Sequence, residues 1–102
     1  MDLQKLLVRR PAATFLVRVS GDSMIGDGIH EGDLLVVDRS LRATSGRVVI
    51  AVVDGELFVK RLAKMGTRPV LLSSNPKYPP FEVRDESQFE VWGTVTFVIH
   101  DL

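Results

Sequence analysis

The chain has 102 residues, the size of one domain with one core, and its 45% hydrophobic and 25% charged residues are ordinary for a globular protein. Thirteen basic residues balance thirteen acidic residues, which argues against strong direct binding of nucleic acid through bulk charge. The sequence has no cysteine for a disulfide or a thiolate, and no apolar run long enough for a membrane span. We therefore expect a cytoplasmic protein with a single domain over residues 1–102.

The first part of the chain predicts a short helix and two strands. Residues 1–11, MDLQKLLVRRP, predict one or two helical turns capped by Asp2 and ended by the proline. TFLVRVS, residues 14–20, is rich in β-branched and aromatic residues and predicts a strand. The glycine- and acid-rich residues 21–33 predict loop and turns, and LLVVD, residues 34–38, predicts a short buried strand.

The rest of the chain predicts further strands. Two strand-like runs flank Asp54-Gly55, a dipeptide that favours a hairpin turn. RPVLLSS, residues 68–74, predicts another strand, and the proline-rich NPKYPP after it predicts a turn. The last strand is predicted over residues 89–100, with a bulge or bend at Gly93. Short strands at this spacing predict a mainly β fold, a small single domain of curved antiparallel sheets.

The segment SGDSM, residues 20–24, raises the question of whether Ser23 is a turn serine or a nucleophile. A nucleophilic serine needs a partner that accepts its proton. The two histidines are His30, in the polar loop, and His100, near the end of the last strand. Because nothing around either histidine marks it as catalytic, we favour the interpretation of an exposed loop histidine and a strand-end histidine.

Lys60 is the other candidate base for Ser23. At the period of a strand, Lys60 shares a face with Phe58 and Leu62, and partial desolvation between two apolar neighbours lowers the pKa of a lysine. A neutral lysine can accept the proton of a serine hydroxyl. The alternative is that Lys60 extends its ammonium to water. The adjacent Arg61 lies on the other face of the strand, and at most one of the two cations can be buried.

The acidic residues of the glycine-rich loop raise the question of a metal site. The spacing of Asp22, Asp27, Glu31 and Asp33 does not match a calcium loop, and no histidine pair stands at ligand spacing. Gly-rich phosphate-binding patterns are absent as well. We therefore expect solvated turn acids, no metal and no cofactor.

Several segments together resemble one known family. SGDSMIGDGIHEGDLLVVD, GRVVIAVVDGELFVKRL, NPKYPPFEV and VWGTVTFVI are similar to the LexA/UmuD family of self-cleaving peptidases, and the likeness covers almost the whole chain. Its motifs are a G-D-S-M turn, a G-I-x-x-G-D turn and a strand lysine 37 residues after Ser23. The opening residues, with P-A-A-T-F, resemble the UmuD branch more than the LexA branch.

The resemblance implies a site and a fold. In the family the serine of G-D-S-M is the nucleophile, here Ser23, and the strand lysine is the general base, here Lys60. The backbone N–H groups of Asp22 and Ser23 would form the oxyanion hole, and Met24 would support the substrate cleft. The fold implied is a strongly curved β structure like that of LexA and signal peptidases.

The resemblance also implies partners. Family members cleave their own N-terminal arm when stimulated by a RecA filament on single-stranded DNA. In the UmuD branch the shortened product forms a homodimer and joins a UmuC-like Y-family polymerase for translesion synthesis in the SOS response. We expect the last strand to offer an open edge for pairing with a second copy; the alternative is an edge buried within the monomer.

Two departures from the family pattern stand out. The chain contains neither an Ala-Gly nor a Cys-Gly cleavage site, so we expect the processed form without its cleavable arm. Family members often carry Thr two positions before the lysine, where it can hydrogen-bond the base, whereas this chain has Phe58.

Within the family, two interpretations stay open and are compatible: a Ser-Lys peptidase that cuts a relative in trans, and a processed, dimeric accessory subunit whose dyad is spent. Two further functions also remain open. The first is the core of a LexA-like or phage repressor, which would require an upstream DNA-binding domain. The second is a signal peptidase, which we rank low because the sequence shows no membrane anchor.

Overall fold

A computed structural model describes residues 1–84 and 88–102, and these residues form one antiparallel sheet. The strands are β1 (Thr14–Arg18), β2 (Leu34–Asp38), β3 (Val48–Val53), β4 (Glu56–Met65), β5 (Arg68–Leu72), β6 (Phe81–Glu82) and β7 (Phe89–Ile99). Their order across the sheet is β1-β2-β7-β3-β4-β5-β6. A short helix, α1 (Leu3–Leu7), and 3₁₀ turns at Pro11–Ala13 and Ile25–Asp27 accompany them. The predicted mainly β, antiparallel fold is confirmed.

The N-terminal elements follow their local signals. Asp2 caps α1 by accepting a hydrogen bond from the backbone N–H of Lys5 at 3.3 Å. Pro11 opens the next 3₁₀ turn and does not extend the helix. Strand β1 is shorter than predicted because its ladder with β2 is broken after Arg18: the carbonyl of Val19 accepts from the N–H of Gly32 at 2.9 Å, and the N–H of Asp33 donates to the carbonyl of His30 at 3.0 Å.

The β3–β4 hairpin fixes the position of Lys60. Asp54 and Gly55 both have positive φ, 49° and 86°, as a two-residue turn of type I′ requires. The turn sets the register in which Lys60 lies opposite Val49. The predicted hairpin is confirmed, and Lys60 lies in the middle of a ten-residue strand that is paired on one side with β3.

Strand β7 lies in the middle of the sheet, between β2 and β3. Its backbone hydrogen-bonding groups are directed to these two neighbours along both edges. The expectation that the last strand offers an open edge to a second copy is therefore wrong, and the buried-edge alternative is correct.

Two bulges bend β7, one on each side. The register with β3 skips Trp92, and the register with β2 skips Thr96. Gly93 follows the first bulge, where a Cβ atom would lie 2.5 Å from Cγ1 of Val37. The predicted irregularity at Gly93 is thus a bulge combined with a close approach of two strands.

Two apolar clusters pack on opposite faces of β3, because successive strand residues alternate in direction. Ile50 belongs to the first cluster, and Val49 and Ala51 belong to the second. The first cluster also holds Met24, which follows Ser23 directly. The serine turn is therefore anchored in the core.

Candidate functional site

The turn that carries Ser23 is anchored by the next residue, Met24. The side chain of Met24 is only 2% exposed, and its carbonyl accepts hydrogen bonds from the N–H groups of Asp27 and Ile29, at 3.0 and 3.2 Å. Gly21 enters the turn with φ of 89°. Ser23 itself is half-buried at the surface of this anchored turn.

Ser23 and Lys60 line the same cavity, which has a volume of about 240 Å³. Phe58 and Ile50 contribute apolar walls to it. The serine comes from the loop after β1 and the lysine from the middle of β4, so the fold brings together two residues that are distant in the sequence.

The ammonium of Lys60 is half-buried and has a defined partner. Its Nζ atom donates to Oγ of Ser73 at 2.7 Å and lies 5.3 Å from the centre of the Tyr78 ring. Burial lowers the pKa of Lys60 below the ordinary value of a lysine. In the part of the chain that the structure describes, no hydrogen bond joins Lys60 to the hydroxyl of Ser23.

The segment after β5 ties the serine turn to the lysine strand. The N–H of Ser74 donates to the carbonyl of Ser23 at 2.8 Å, and the carbonyl of Ser74 accepts from the N–H of Gly26 at 2.7 Å. The side-chain amide of Asn75 donates to the carbonyl of Asp22 at 3.0 Å. These three bonds fix the backbone on both sides of Ser23.

Asp22 carries a cluster of polar contacts at the rim of the site. The Tyr78 hydroxyl donates to its Oδ1 at 2.6 Å, and Nζ of Lys77 donates to Oδ2 at 3.2 Å. These two hydrogen bonds, that of Tyr78 first, hold the pKa of Asp22 below its usual value. Among residues 1–84 and 88–102, the backbone N–H of Ser23 has no hydrogen-bond partner, whereas that of Asp22 donates to its own carboxylate.

Arg61, the neighbour of Lys60, is paired with a carboxylate. Its guanidinium donates to Oδ2 of Asp27 at 2.8 Å and also to the carbonyl of Gly46. The hydroxyl of Ser74 donates to the same oxygen of Asp27. The two adjacent cations thus have different environments, since Arg61 has a counter-ion and Lys60 has a hydroxyl and an aromatic ring.

The structure brings the two histidines together away from Ser23. Nδ1 of His100 lies 2.6 Å from Oδ1 of Asp33, and the N–H of His30 donates to Oδ2 of the same carboxylate at 2.8 Å. These three side chains have potential metal-ligating atoms within 4.8 Å of one another. Both oxygens of Asp33 already accept hydrogen bonds. We therefore interpret the cluster as a structural contact that holds the loop against the end of β7.

Sequence reasoning missed three residues around the candidate site. Ser73, Asn75 and Tyr78 contact Lys60 or Asp22, yet their segment predicted only a strand end and a proline-rich turn. Asn75 is only 7% exposed, although it lies in a segment predicted to be a surface turn. Nothing in the local pattern distinguishes these side chains from ordinary turn residues.

Comparison with known proteins identifies the family. The family described as Peptidase S24-like matches residues 1–96. The chain belongs to this family. It is 46% identical to the protein SamA of Salmonella typhimurium over 100 residues and 44% identical to the protein MucA of Escherichia coli over 97 residues, covering 98% and 94% of this chain.

The relatives of this S24 peptidase-like chain also define its branch. It is 45% identical over 85 residues to the LexA repressor of Syntrophotalea carbinolica, but covers only 42% of that protein, against 69% of SamA and 66% of MucA. The resemblance to the LexA/UmuD family, on its UmuD-like side, is confirmed. The chain spans about two-thirds of the length of SamA and MucA. Within the described residues, no helix is long and apolar enough to cross a membrane.

Proposed function

We propose that this protein is the catalytic core of a UmuD-like self-cleaving serine peptidase, with Ser23 as the nucleophile and Lys60 as the general base. The observation that carries the proposal is the shared cavity, which holds a half-buried lysine and the serine of an anchored turn. Membership of a family of self-cleaving serine peptidases supports the same chemistry.

The proposed reaction uses both residues in turn. Neutral Lys60 accepts the proton of the Ser23 hydroxyl while the oxygen attacks the carbonyl carbon of the cleaved peptide bond. The C–N bond then breaks, and protonated Lys60 gives its proton to the leaving amine. A water molecule hydrolyses the resulting ester and releases Ser23.

The developing negative charge needs hydrogen-bond donors. We assign this role to the N–H groups of Asp22 and Ser23, and the N–H of Ser23 is without a partner in the described part of the chain. The bond from Asn75 to the carbonyl of Asp22 would hold the peptide unit that carries the N–H of Ser23, and the bond from Ser74 to the carbonyl of Ser23 would hold the next unit along the chain. Buried Met24 would keep the floor of the cleft rigid.

The cellular role we propose is that of the UmuD branch. Cleavage stimulated by a RecA filament would yield a homodimeric accessory subunit for a UmuC-like Y-family polymerase in translesion synthesis, placing the protein in the cytoplasm. The similarity to SamA and MucA along nearly the whole chain supports this choice. The second candidate is the peptidase core of a LexA-like repressor, favoured by the 45% identity to one such repressor.

Covalent labelling tests the chemistry without a peptide substrate. A fluorophosphonate probe forms a bond from its phosphorus to Oγ of an activated serine while the P–F bond breaks and fluoride leaves. We expect labelling at Ser23, located by tandem mass spectrometry, at a rate that rises with pH as Lys60 loses its proton. Ser23→Ala and Lys60→Ala should abolish it. Folded protein that is not labelled at Ser23 at any pH would contradict the proposal.

Cleavage and partnership can then be tested separately. An arm-bearing substrate, made by adding an N-terminal arm with an Ala-Gly or Cys-Gly bond to this chain carrying Ser23→Ala, should be cut by the unmodified chain and not by its Lys60→Ala variant. Ser23→Ala should leave binding to a UmuC-like polymerase intact. Binding to operator DNA by a longer form, without polymerase binding, would favour the repressor.

A further inference from the structure

The hydroxyl of Ser73 is the hydrogen-bond partner of Lys60 within the described residues, at 2.7 Å from Nζ. Ser73 is half-buried and comes directly after β5, which pairs with the lysine strand through Leu72 and Arg61. The next residue, Ser74, bonds the carbonyl of Ser23. Ser73 thus lies at the junction of the two segments that carry the proposed catalytic pair.

We propose that Ser73 is a positioning residue for the general base: its hydroxyl accepts an N–H bond from Lys60 and so directs the lone pair of the neutral amine toward Ser23. This inference rests on the proposed function. In this proposal Ser73 neither contacts the substrate nor takes part in a chemical step.

The physical need for such a residue follows from the chemistry of an amine. A neutral lysine has two N–H donors and one lone pair, and rotation about its terminal C–N bond moves the lone pair freely. An acceptor at a fixed place holds one N–H and thereby limits the direction of the lone pair. Ser73 can do this because the residues on either side of it are held: Leu72 pairs with Arg61, and Ser74 donates to the carbonyl of Ser23.

Phe58 explains why the hydroxyl comes from another segment of the chain. In the family pattern a threonine two positions before the lysine can bond the base from the same strand. Here that position is Phe58, which lines the cavities on either side of Lys60 and offers no acceptor comparable to a hydroxyl. Ser73 supplies a hydroxyl from the end of β5 and compensates for the missing threonine.

The same bond also affects the proton equilibrium of Lys60. An acceptor favours the ammonium over the amine, since a charged donor makes the stronger hydrogen bond. Removal of the Ser73 hydroxyl should therefore lower the pKa of Lys60 further. It should also reduce the rate at which Ser23 reacts in molecules whose Lys60 is neutral. A purely structural role would lower the folded fraction without moving the pH profile.

The test compares Ser73→Ala and Ser73→Thr by fluorophosphonate labelling of Ser23 across neutral to alkaline pH, with Ser45→Ala, an exposed turn serine, as control. For Ser73→Ala we expect a plateau rate about tenfold lower and a midpoint shifted to lower pH. Ser73→Thr should restore both, and Ser45→Ala should match the unmodified protein. Titration of the Lys60 side chain by NMR should show the same shift.

The outcomes separate this inference from the proposed function. If the unmodified protein is not labelled at Ser23, the proposed function fails. If it is labelled and Ser73→Ala gives the same plateau and midpoint, the function stands and the role of Ser73 is overturned. Should Ser73→Ala fail to fold, Ser73→Cys retains the side-chain size with a weak acceptor, and an unchanged profile in that variant overturns the inference equally.

Discussion

The backbone N–H of Ser74 donates a hydrogen bond to the carbonyl of Ser23, the proposed nucleophile, at 2.8 Å. The side chain of Ser73, one position earlier, holds Lys60. The relative position of Ser23 and Lys60 therefore depends on three consecutive residues, 73–75. Displacing this segment should affect reactivity more than it affects the rest of the fold.

Gly26→Ala should displace the segment directly. A Cβ atom at Gly26 would lie 2.7 Å from the carbonyl oxygen of Ser74, which the N–H of Gly26 already bonds. We expect a loss of about 1–3 kcal/mol in the free energy of unfolding, typical of overpacking. We also expect at least a tenfold slower labelling of Ser23 in the folded protein, measured with urea unfolding and mass spectrometry.

Gly93→Ala is the matched control for this prediction. There the new Cβ atom would meet Cγ1 of Val37 at 2.5 Å, in the contact between β7 and β2 and not at the candidate site. This variant should lose stability in the same range and keep the labelling rate of its folded fraction. Equal labelling rates for the two variants would show that the Gly26 contact does not position Ser23.

Tyr78→Phe should raise the pKa of Asp22. The hydroxyl of Tyr78 is the largest cause of the lowered pKa of that carboxyl, and its removal leaves the Lys77 contact and the hydrogen bond from the backbone of Asp22 itself. A lowered folded pKa stabilises the native state above the unfolded pKa, and this contribution is lost as the pH falls through the folded value. We therefore expect Tyr78→Phe to weaken the acid dependence of stability below about pH 4.

Carbon-detected NMR titration of the Asp22 carboxyl measures this shift. Because the phenylalanine ring can occupy the same place 5.3 Å from Nζ of Lys60, the titration of Lys60 should stay unchanged. An unchanged Asp22 titration in Tyr78→Phe would mean that the hydroxyl contact does not persist in solution.

Asp38 should contribute to acid sensitivity in another part of the sheet. Its carboxylate is 4% exposed and accepts from the hydroxyl and N–H of Ser40 at 2.6 and 2.8 Å and from Arg10 at 3.1 Å. These bonds, that of the Ser40 hydroxyl first, lower the pKa of Asp38. Its stabilising contribution is present above the unfolded pKa, about 3.9, and is lost as the pH falls toward the folded value.

Asp38→Asn removes this titration. We expect the variant to be less stable at pH 7 and its free energy of unfolding to vary less between about pH 5 and pH 2. Urea unfolding at several pH values measures both effects. If the free energy of unfolding of Asp38→Asn and of the unmodified protein varied with pH in parallel, the assignment would be contradicted. Asp54→Asn, a substitution at an exposed hairpin turn, is the comparison variant.

The parts of the fold that sequence predicted are those encoded locally. LLVVD forms β2 with the predicted bounds, and Asp54-Gly55 forms the predicted hairpin turn, because a buried run and a positive-φ dipeptide act over a few residues. The placement of β7 between β2 and β3 depends on pairing between distant segments, which no local pattern contains. The expected open edge failed for that reason.

The candidate site divides in the same way. The motif around Ser23 and the period that places Lys60 near Phe58 are local, and resemblance to the family supplied their proposed roles. The contact of Lys60 with Ser73 joins β4 to the segment after β5, and the contacts of His30 and His100 with Asp33 join a loop to the end of the chain's last strand. Such contacts depend on tertiary packing and were not visible in the sequence.

Phe58→Thr should return the missing hydroxyl to the lysine strand. In a Ser73→Ala background, a threonine at position 58 can accept an N–H bond from Lys60 on the same face of β4. We expect it to recover most of the labelling rate that Ser73→Ala loses. Because Phe58 packs against the second apolar cluster, the substitution should also cost about 2 kcal/mol of stability.

Phe58→Val in the same background is the control, since valine has the shape of threonine without its hydroxyl. Both double variants lose the phenyl ring and widen the cavity around Lys60 by the same amount. If only the threonine variant recovers the labelling rate, the effect belongs to the hydroxyl. Ser73 and the family's threonine would then perform the same function from two different positions. Equal recovery by both variants would mean that the bulk of Phe58, and not the lack of a hydrogen bond, limits the base.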